Sequence, residues 1–410
     1  MTGCIPRNAS SSPVLDALPV ERARGITVKA QTASMFTMYR NEVYLLNLID
    51  TPGHTDFTNE VSRSLAAMQG ALLIVDAAAG VQAQTVAHYW RAREAGVEAI
   101  IPVINKVDLP TADIDATLEQ LDSQLDLDVF NMPVLCVSAK SGQGIAAVLP
   151  AIIERIPAPW NAIIEASLEA QLVDCWYREF RGVICMVYVR SGTIRLGASI
   201  KSAVSEKSYT VDEIGILQPT LISTGYLHAG QVGYIRCGMK STQDAVIGDT
   251  FFNPSAPRPL NLTIPKKMRP IVYASMFPFL REEYDNVLVA VEKLLLNDSS
   301  VEMEKIVSVA LGPGWRLGFL GSLHMDVFRQ RLEQEFAVQV LMASPNVSYE
   351  VVYKGATEIQ QINAAEDYPS DKLISKVAQF REPFVKATII CPTGSFGSIA
   401  QLCSVSLQLV

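Results

Sequence analysis

No two cysteines in this chain are spaced as CxxC, and the seven present (Cys4, Cys136, Cys175, Cys185, Cys237, Cys391 and Cys403) are scattered and odd in number. That pattern argues against a disulfide framework and against a sequence-encoded zinc site, and it points to a reducing compartment. Long apolar runs are also missing. Ala71 to Val75 stops at Asp76, and Ile100 to Ile104 stops at Asn105 and Lys106, far short of the ~20 residues a membrane-spanning helix needs. Positive charge is in short supply, with 34 Lys and Arg against 42 Asp and Glu and a net charge of -8. A protein that coats DNA or RNA by charge alone is thereby excluded, so any nucleic-acid contact is local, and no DNA partner is expected. Local candidates are Arg178 with Arg181, and Lys266, Lys267 and Arg269. Met1 to Val14 has serines, one arginine, no acids and no amphipathic period, so it reads as neither a signal peptide nor a transit peptide. No internal repeat or low-complexity tract is found.

What is present is apolar material in ordered alternation. With 410 residues, 49% of them hydrophobic and 19% charged, the chain can bury cores in roughly two to four domains. From about 43 to 157, Tyr44–Ile49, Ala71–Val75, Ala99–Ile104 and Pro133–Val137 read as buried strands. Helices are expected between them at Asn59–Gln69, Gln84–Ala95 and Ile114–Leu125. Strands alternating with such helices make parallel βαβ units and a doubly wound sheet, with ligands beyond the carboxyl ends of its strands. Pro157 and Pro159 close this region.

Short segments joined by glycine turns follow from about 170 to 255, including Val183–Arg190, Thr193–Leu196 and the turn Ala229–Gly233, which predicts a β-barrel. From about 270 to 355, Ile271–Met276, a helix near Glu282–Leu296, Ile306–Leu311, a helix at Gly321–Phe336 and Val347–Val352 suit a split-βαβ α+β domain. Phe384–Cys391 and Gly394–Leu402 read as the start of a second α+β domain. The expected domains are 1–160 (α/β, incomplete), 165–260 (β-barrel), 268–355 (ferredoxin-like α+β) and 380–410. The apolar run into Val410 is read as a truncated end.

Chemistry concentrates at three strand ends. Asp50, in Asp50-Thr51-Pro52-Gly53-His54, is a carboxylate able to hold magnesium through water, and Gly53 lets a backbone N–H approach a terminal phosphate without Cβ interference. In Asn105-Lys106-Val107-Asp108, the Asp108 carboxylate can accept guanine N1–H and N2–H₂, Asn105 addresses the base edge, and the stem of Lys106 covers the ring face. Ser138-Ala139-Lys140 ends the next strand, where a backbone N–H can meet guanine O6. Taken singly, Asp50 reads equally as a turn-initiating residue, and Asn105 and Asp108 as loop or helix caps. Their order at successive strand ends favours one shared crevice.

With Arg24-Gly25-Ile26-Thr27 upstream, these motifs resemble the translational GTPases. ERARGITVKAQTAS, LLNLIDTPGHTDF, EVSRSLAAMQGALLIVDA, GVQAQT, PVINKVDLP, LNDSSV, WRLGFLGSLHMDVFRQRLEQE and REPFVKATIICP together resemble the LepA or elongation factor 4 family, in its mitochondrial form, from residue 15 onward. The resemblance implies a G domain that hydrolyses GTP with magnesium. Thr27 would ligate the ion through its hydroxyl, Asp50 would hold it through water, and Gly53 would donate to the γ-phosphate. His54 would be catalytic, positioning the attacking water once ribosomal RNA engages it. The implied partners are the mitochondrial ribosome, its RNA and proteins, and tRNA. The implied role is back-translocation on stalled or wrongly translocated ribosomes, by a monomer at the matrix side of the inner membrane.

One expected element is missing from the 410 residues: no GxxxxGK[ST] string occurs in them. Such a loop cradles phosphates through its amides and lysine, and it follows a central strand. Without that strand the sheet is expected to carry a gap, with unpaired backbone groups on both neighbours. Two explanations compete: a partial form of an ordinary GTPase, or a genuine short form with a defunct nucleotide site. Retention of Asp50, Asn105, Asp108 and Ser138-Ala139-Lys140 favours the first.

Overall fold

The stretch AIIPVIN at 99–105 sends alternate apolar side chains to opposite faces, and both faces are covered, which makes it the most deeply buried strand of its sheet. The computed structural model describes residues 14–16, 18–129, 132–159, 162–178, 180–218, 220–239, 244–259, 268–298, 300–308, 311–343, 349–355, 359–362, 368–382, 384, 389, 391 and 393–407. Two units divide the chain, Met1–Met268 with Lys293–Asp298, and Arg269–Glu292 with Ser299–Val410.

The first unit begins with α1 (Pro19–Arg24), β1 (Gln31–Tyr39), β2 (Glu42–Asp50), α2 (Thr58–Leu65), β3 (Gly70–Asp76), α3 (Ala83–Glu94), β4 (Ala99–Asn105), α4 (Ile114–Leu125), β5 (Leu135–Cys136) and α5 (Val148–Arg155). Strands β3, β4 and β5 form a parallel sheet in that order. Ile100 and Ile104 pack with Tyr89, Leu121 and Leu125 from α3 and α4, while Ile101 and Val103 pack with Ala151 of α5. Helix α4 starts where Asp113 accepts the Ala116 N–H at 2.9 Å. All three helices expected from periodicity are present, although α2 stops at Leu65.

Tyr44–Ile49 departs from expectation. It is no buried strand of the parallel sheet: β2 pairs antiparallel with β1 along its whole length, Gln31 opposite Asp50 and Tyr39 opposite Glu42. Arg40 and Asn41, at φ +48° and +66°, form the two-residue turn whose twist suits a hairpin. Most of β2 is half-buried. Among the described residues β2 pairs only with β1, and β3 only with β4. Ile74 on β3 is 62% exposed, unusual for an apolar residue of an α/β sheet.

The unit continues with β6 (Glu169–Arg178), β7 (Gly182–Ser191), β8 (Thr193–Arg195), β9 (Ser199–Ser202), β10 (Ser208–Thr210), β11 (Glu213–Gln218), β12 (Thr220–Ser223), β13 (Tyr226–His228), β14 (Val232–Arg236) and β15 (Thr250–Phe252). Eight of these make an antiparallel sheet ordered β10-β9-β15-β6-β7-β14-β11-β12, and β8 pairs with β13. Its core includes Val187, Ile194, Ile214, Ile235 and Phe251, with Cys175, Cys185 and Cys237 among them. Burial pushes the Cys175 thiol up to about 12, so that sulfur acts as a small apolar group.

This sheet buttresses the segments on either side of the Asp50–His54 loop. Ala67, just past α2, packs with Val173, Met186 and Val232, and Gln69 donates to the Tyr188 hydroxyl at 3.1 Å. Thr32 donates to Met186 Sδ at 3.0 Å, and Lys29 pairs with Asp174 at 3.5 Å.

In the second unit, β16 (Val272–Pro278), α6 (Tyr284–Asn297), β17 (Glu302–Ser308), β18 (Gly312–Phe319), α7 (Ser322–Phe336) and β19 (Val340–Ala343) follow one another as β-α-β-β-α-β. The antiparallel sheet is ordered β17-β18-β16-β19. GFLGSLHM is a structural turn here: Phe319 meets Phe328 and His324 edge-on, and buried His324 accepts the Leu320 N–H on Nδ1 at 3.3 Å.

The strand expected at Val347–Val352 belongs elsewhere. β20 (Tyr349–Tyr353) pairs with β21 (Ile359–Ile362) and β22 (Val377–Arg381), with α8 (Asp371–Ile374) between the last two. The reason is that β19 already occupies the edge beside β16. Of Phe384–Cys391, all but Phe384, Ile389 and Cys391 lie outside the described residues, as do Lys266 and Lys267. Helix α9 (Phe396–Leu407) covers the expected Gly394–Leu402 segment from Phe396 onward, with Gly394 and Ser395 in the 3₁₀ turn before it. No helix among the described residues is long and apolar enough to cross a membrane.

Candidate functional site

Strand β2 ends on Asp50, and the chain leaves it through Thr51, buried Pro52 and exposed Gly53. The fold itself makes no demand for glycine at 53: a Cβ there would meet open space, and the residue is not in the left-handed region. Gly144 is the opposite case, since its φ is +72° and a Cβ would strike the Cys136 carbonyl. Gly144 thus shapes the turn after Ser138-Ala139-Lys140, whereas the smallness of Gly53 suits close approach by a group from outside the chain.

His54 caps the short 3₁₀ turn Thr55–Phe57. Its Nδ1 accepts the Asp56 N–H at 3.1 Å and lies 3.5 Å from Asp56 Oδ1, with the side chain about one-third exposed. With Nδ1 engaged as an acceptor, Nε2 is the ring nitrogen left to face outward contacts.

Asp50 lies close enough to Asp16 and Glu21 to feel both. Burial first, and then these two acids, raise its carboxyl above the ordinary range. Thr27 donates its hydroxyl to Asp16 at 3.0 Å. Buried Glu21 fixes the segment beyond it by accepting the N–H groups of Val28 and Lys29 at 3.0 and 3.1 Å. Among the described residues, no three His, Cys, Asp or Glu side chains converge as metal ligands. The donor chemistry nevertheless fits magnesium: oxygen atoms only, few protein ligands, and a carboxylate under repulsion from its neighbours that a divalent cation relieves.

The loops after β4 and β5 are tied together by one side chain. Asn105 Oδ1 accepts the Lys106 N–H at 2.8 Å and the Ala139 N–H at 3.0 Å. The Ala139 amide, one of the backbone N–H groups in the segment expected to meet guanine O6, is thus directed at Asn105. Lys106 sits at φ +64°, a conformation that costs a non-glycine residue on the order of 1 kcal/mol and clusters at functional sites. Val107 donates its N–H to the Val137 carbonyl at 3.3 Å. Asp108 is exposed, and the buried Ser138 hydroxyl, aided by Lys140, holds its carboxyl below the usual range.

Two residues that sequence reasoning passed over take part. Asp76, opposite Asn105 in the β3–β4 register, accepts from Lys106 Nζ at 2.6 Å, and that contact foremost holds its carboxyl low. The signal was available, because VDAAAG and VINKVD are parallel strand ends. His88 on α3 lies 2.8 Å through Nε2 from the Gly53 carbonyl, a contact that no local pattern announces. The structure therefore gathers Asn105, Lys106, Val107, Asp108, Ser138, Ala139 and Lys140 at the ends of β4 and β5, and Asp50 with Asp16, Glu21 and Thr27 at the end of β2.

Comparison with known proteins follows the same division. Residues 3–158 match the family model described as the elongation factor Tu GTP binding domain. Over 98% of this chain, the relative named "Translation factor GUF1 homolog, mitochondrial" from Trichoplax adhaerens is 48% identical, and its counterpart from Arabidopsis thaliana 49%. "Translation factor GUF1, mitochondrial" from Homo sapiens is 47% identical over the same share. The chain spans 61%, 61% and 60% of those relatives. A crystal structure from Thermus thermophilus superposes with a TM-score of 0.70 at 20% identity, covering 88% of this chain and 68% of that one, a likeness of fold.

Proposed function

We propose that the chain is a member of the LepA family of translation factors, as its similarity to the relatives named GUF1 supports, and that it serves as a ribosome-dependent GTPase of mitochondrial translation. The observation that carries the reading is the bridge from Asn105 Oδ1 to the amides of Lys106 and Ala139, which joins two strand-end loops into one guanine-reading surface. In this proposal Asp108 accepts N1–H and N2–H₂ of the base, and the Lys106 stem, held by Asp76 at 2.6 Å, covers the ring. Ser138, Ala139 and Lys140 line the O6 side. Gly53 donates its N–H to the γ-phosphate. Thr51 and Pro52 set the turn that presents it. Asp50, through water, and Thr27, through its hydroxyl, would hold magnesium, which when bound neutralises phosphate charge. His54 leaves the Asp56 amide, turns to the γ-phosphate when ribosomal RNA engages it, and orients the attacking water.

The same reading divides the chain into a G domain over 1–160, a β-barrel over 165–260, a ferredoxin-like domain over 268–355 and the start of a further α+β domain from 380, with the strand Tyr349–Tyr353 moved from the third to the fourth because it pairs with β21 and β22. The β-α-β-β-α-β order of the second unit supports the third of these. The proposed role is back-translocation on stalled or wrongly translocated ribosomes, with tRNA and the ribosome as partners, by a monomer at the matrix face of the inner membrane.

A second reading is a ribosome-binding module with a defunct nucleotide site. It is favoured by the absence of GxxxxGK[ST] from the 410 residues and by the lack of pairing between β2 and β3. Sedimentation with mitochondrial ribosomes, combined with phosphate release from GTP, separates the two. The first reading expects co-sedimentation and ribosome-dependent release; the second expects co-sedimentation without release. Failure to sediment contradicts both.

A further inference from the structure

His88 occupies the second turn of α3, on the side that meets the loop after β2. Its Nε2 is 2.8 Å from the Gly53 carbonyl, and its Nδ1 is 3.4 Å from Arg91 Nη1. A carbonyl oxygen can only accept, and a guanidinium can only donate. The two neighbours therefore fix the ring: the proton sits on Nε2 and is given to Gly53, and Nδ1 faces the arginine as acceptor. Burial, seconded by Arg91, keeps the imidazole from charging in the ordinary range, consistent with a neutral ring used as a fixed donor.

The anchored atom matters because of where it lies. The Gly53 carbonyl belongs to the peptide plane that leads into His54, and the plane before it carries the Gly53 N–H. One hydrogen bond from α3 thus holds the plane after Gly53 directly and, with Pro52 buried on the other side, limits how the plane before it can turn about a residue whose surroundings do not require glycine.

We infer that His88 is a positioning residue that sets the orientation of the Gly53 peptide, so that the Gly53 N–H is presented to the terminal phosphate of a nucleoside triphosphate. The inference rests on the proposed GTP reading for its last step, while the His88–Gly53 hydrogen bond stands apart from it. It assigns α3 a part in distinguishing a triphosphate from a diphosphate. His88 touches no reacting atom.

The test uses the 410-residue chain and its His88→Ala and His88→Gln variants. Hydrogen–deuterium exchange of the 50–57 loop reports the contact without nucleotide. The alanine variant is expected to exchange about three- to tenfold faster there, the worth of one lost hydrogen bond. The glutamine variant, whose Nε2 can still donate, is expected to recover most of that protection, and α3 itself should exchange as in the parent. Equilibrium competition between GTP and GDP with magnesium then reads the function. His88→Ala is expected to lose about three- to tenfold of the preference for GTP over GDP with GDP affinity unchanged, and His88→Gln to retain it. Unchanged loop exchange in the alanine variant, or equal loss of GTP and GDP, overturns the inference. If the parent chain binds neither nucleotide, the GTP reading fails, and loop exchange still decides whether His88 holds Gly53.

Discussion

Replacing His54 with alanine is expected to leave GTP affinity within about twofold and to lower ribosome-stimulated hydrolysis by about 10²- to 10⁴-fold, the range for a positioned proton-handling group. Binding should survive because His54 makes none of the base-reading contacts. Its ring is engaged with Asp56 at the start of a 3₁₀ turn, apart from Asn105, Asp108 and Ser138. Hydrolysis should fail because no neighbouring side chain in the loop offers a replacement: Thr51 and Thr55 lack an imidazole's reach, and Asp56 carries the wrong charge for a phosphate. The measurement is single-turnover phosphate release with ribosomes, in a chain extended at its amino end by a strand and a GxxxxGK[ST] loop. Unchanged stimulated turnover removes His54 from the mechanism.

Asp108→Asn is expected to exchange one base for another. In the proposed site the carboxylate accepts from N1–H and N2–H₂ of guanine; an asparagine turns one acceptor into a donor and meets the 2-amino group with like polarity. Xanthine carries an oxygen at that position and suits the amide. Guanine nucleotide binding should fall roughly 10²-fold and xanthine nucleotide binding should rise to replace it, as expected from the 1–3 kcal/mol of a bidentate base contact. Asp108 is exposed, so the fold should be unaffected, and an unchanged melting temperature checks that. Loss of guanine binding without any gain for xanthine would mean that Asp108 acts by shaping the loop through Ser138 instead of reading the base.

Much of this site was legible because strand ends announce themselves. An apolar run that stops at Asp50, at Asn105 or at Ser138 marks a point where the chain leaves a core and offers polar groups to a crevice. The helices were legible for the same local reason, as in Leu121 and Leu125 of α4, which lie one turn apart and are both fully buried. Pairing was less legible. LLNLID reads as a buried strand by composition, yet Arg40-Asn41 turns it back on QTASMFTMY at Gln31–Tyr39, and hairpin partnership outweighs apolar content. Contacts across elements were hidden for a related reason. Asp76 reaches Lys106 only because the β3–β4 register places it opposite Asn105, and His88 reaches Gly53 only because α3 packs where it does. Even the segment GFLGSLHM, which carries part of the family resemblance, is explained by core packing at Phe319 and His324. A motif can identify a family without taking part in its chemistry.

In the proposed function these 410 residues hold the base-reading and γ-phosphate-sensing parts of a GTP site, and no GxxxxGK[ST] loop to cradle the phosphates occurs among them. Each charge-assisted hydrogen bond is worth about 1.5–3 kcal/mol, so the absence of even two or three should weaken binding on the order of 10³-fold relative to a protein that has them. Titration of the chain with fluorescent GTP and ATP analogues in magnesium tests this most directly. The predicted result is weak binding that favours guanine over adenine. Tight, magnesium-dependent binding of the GTP analogue, or binding without preference for guanine, would contradict it.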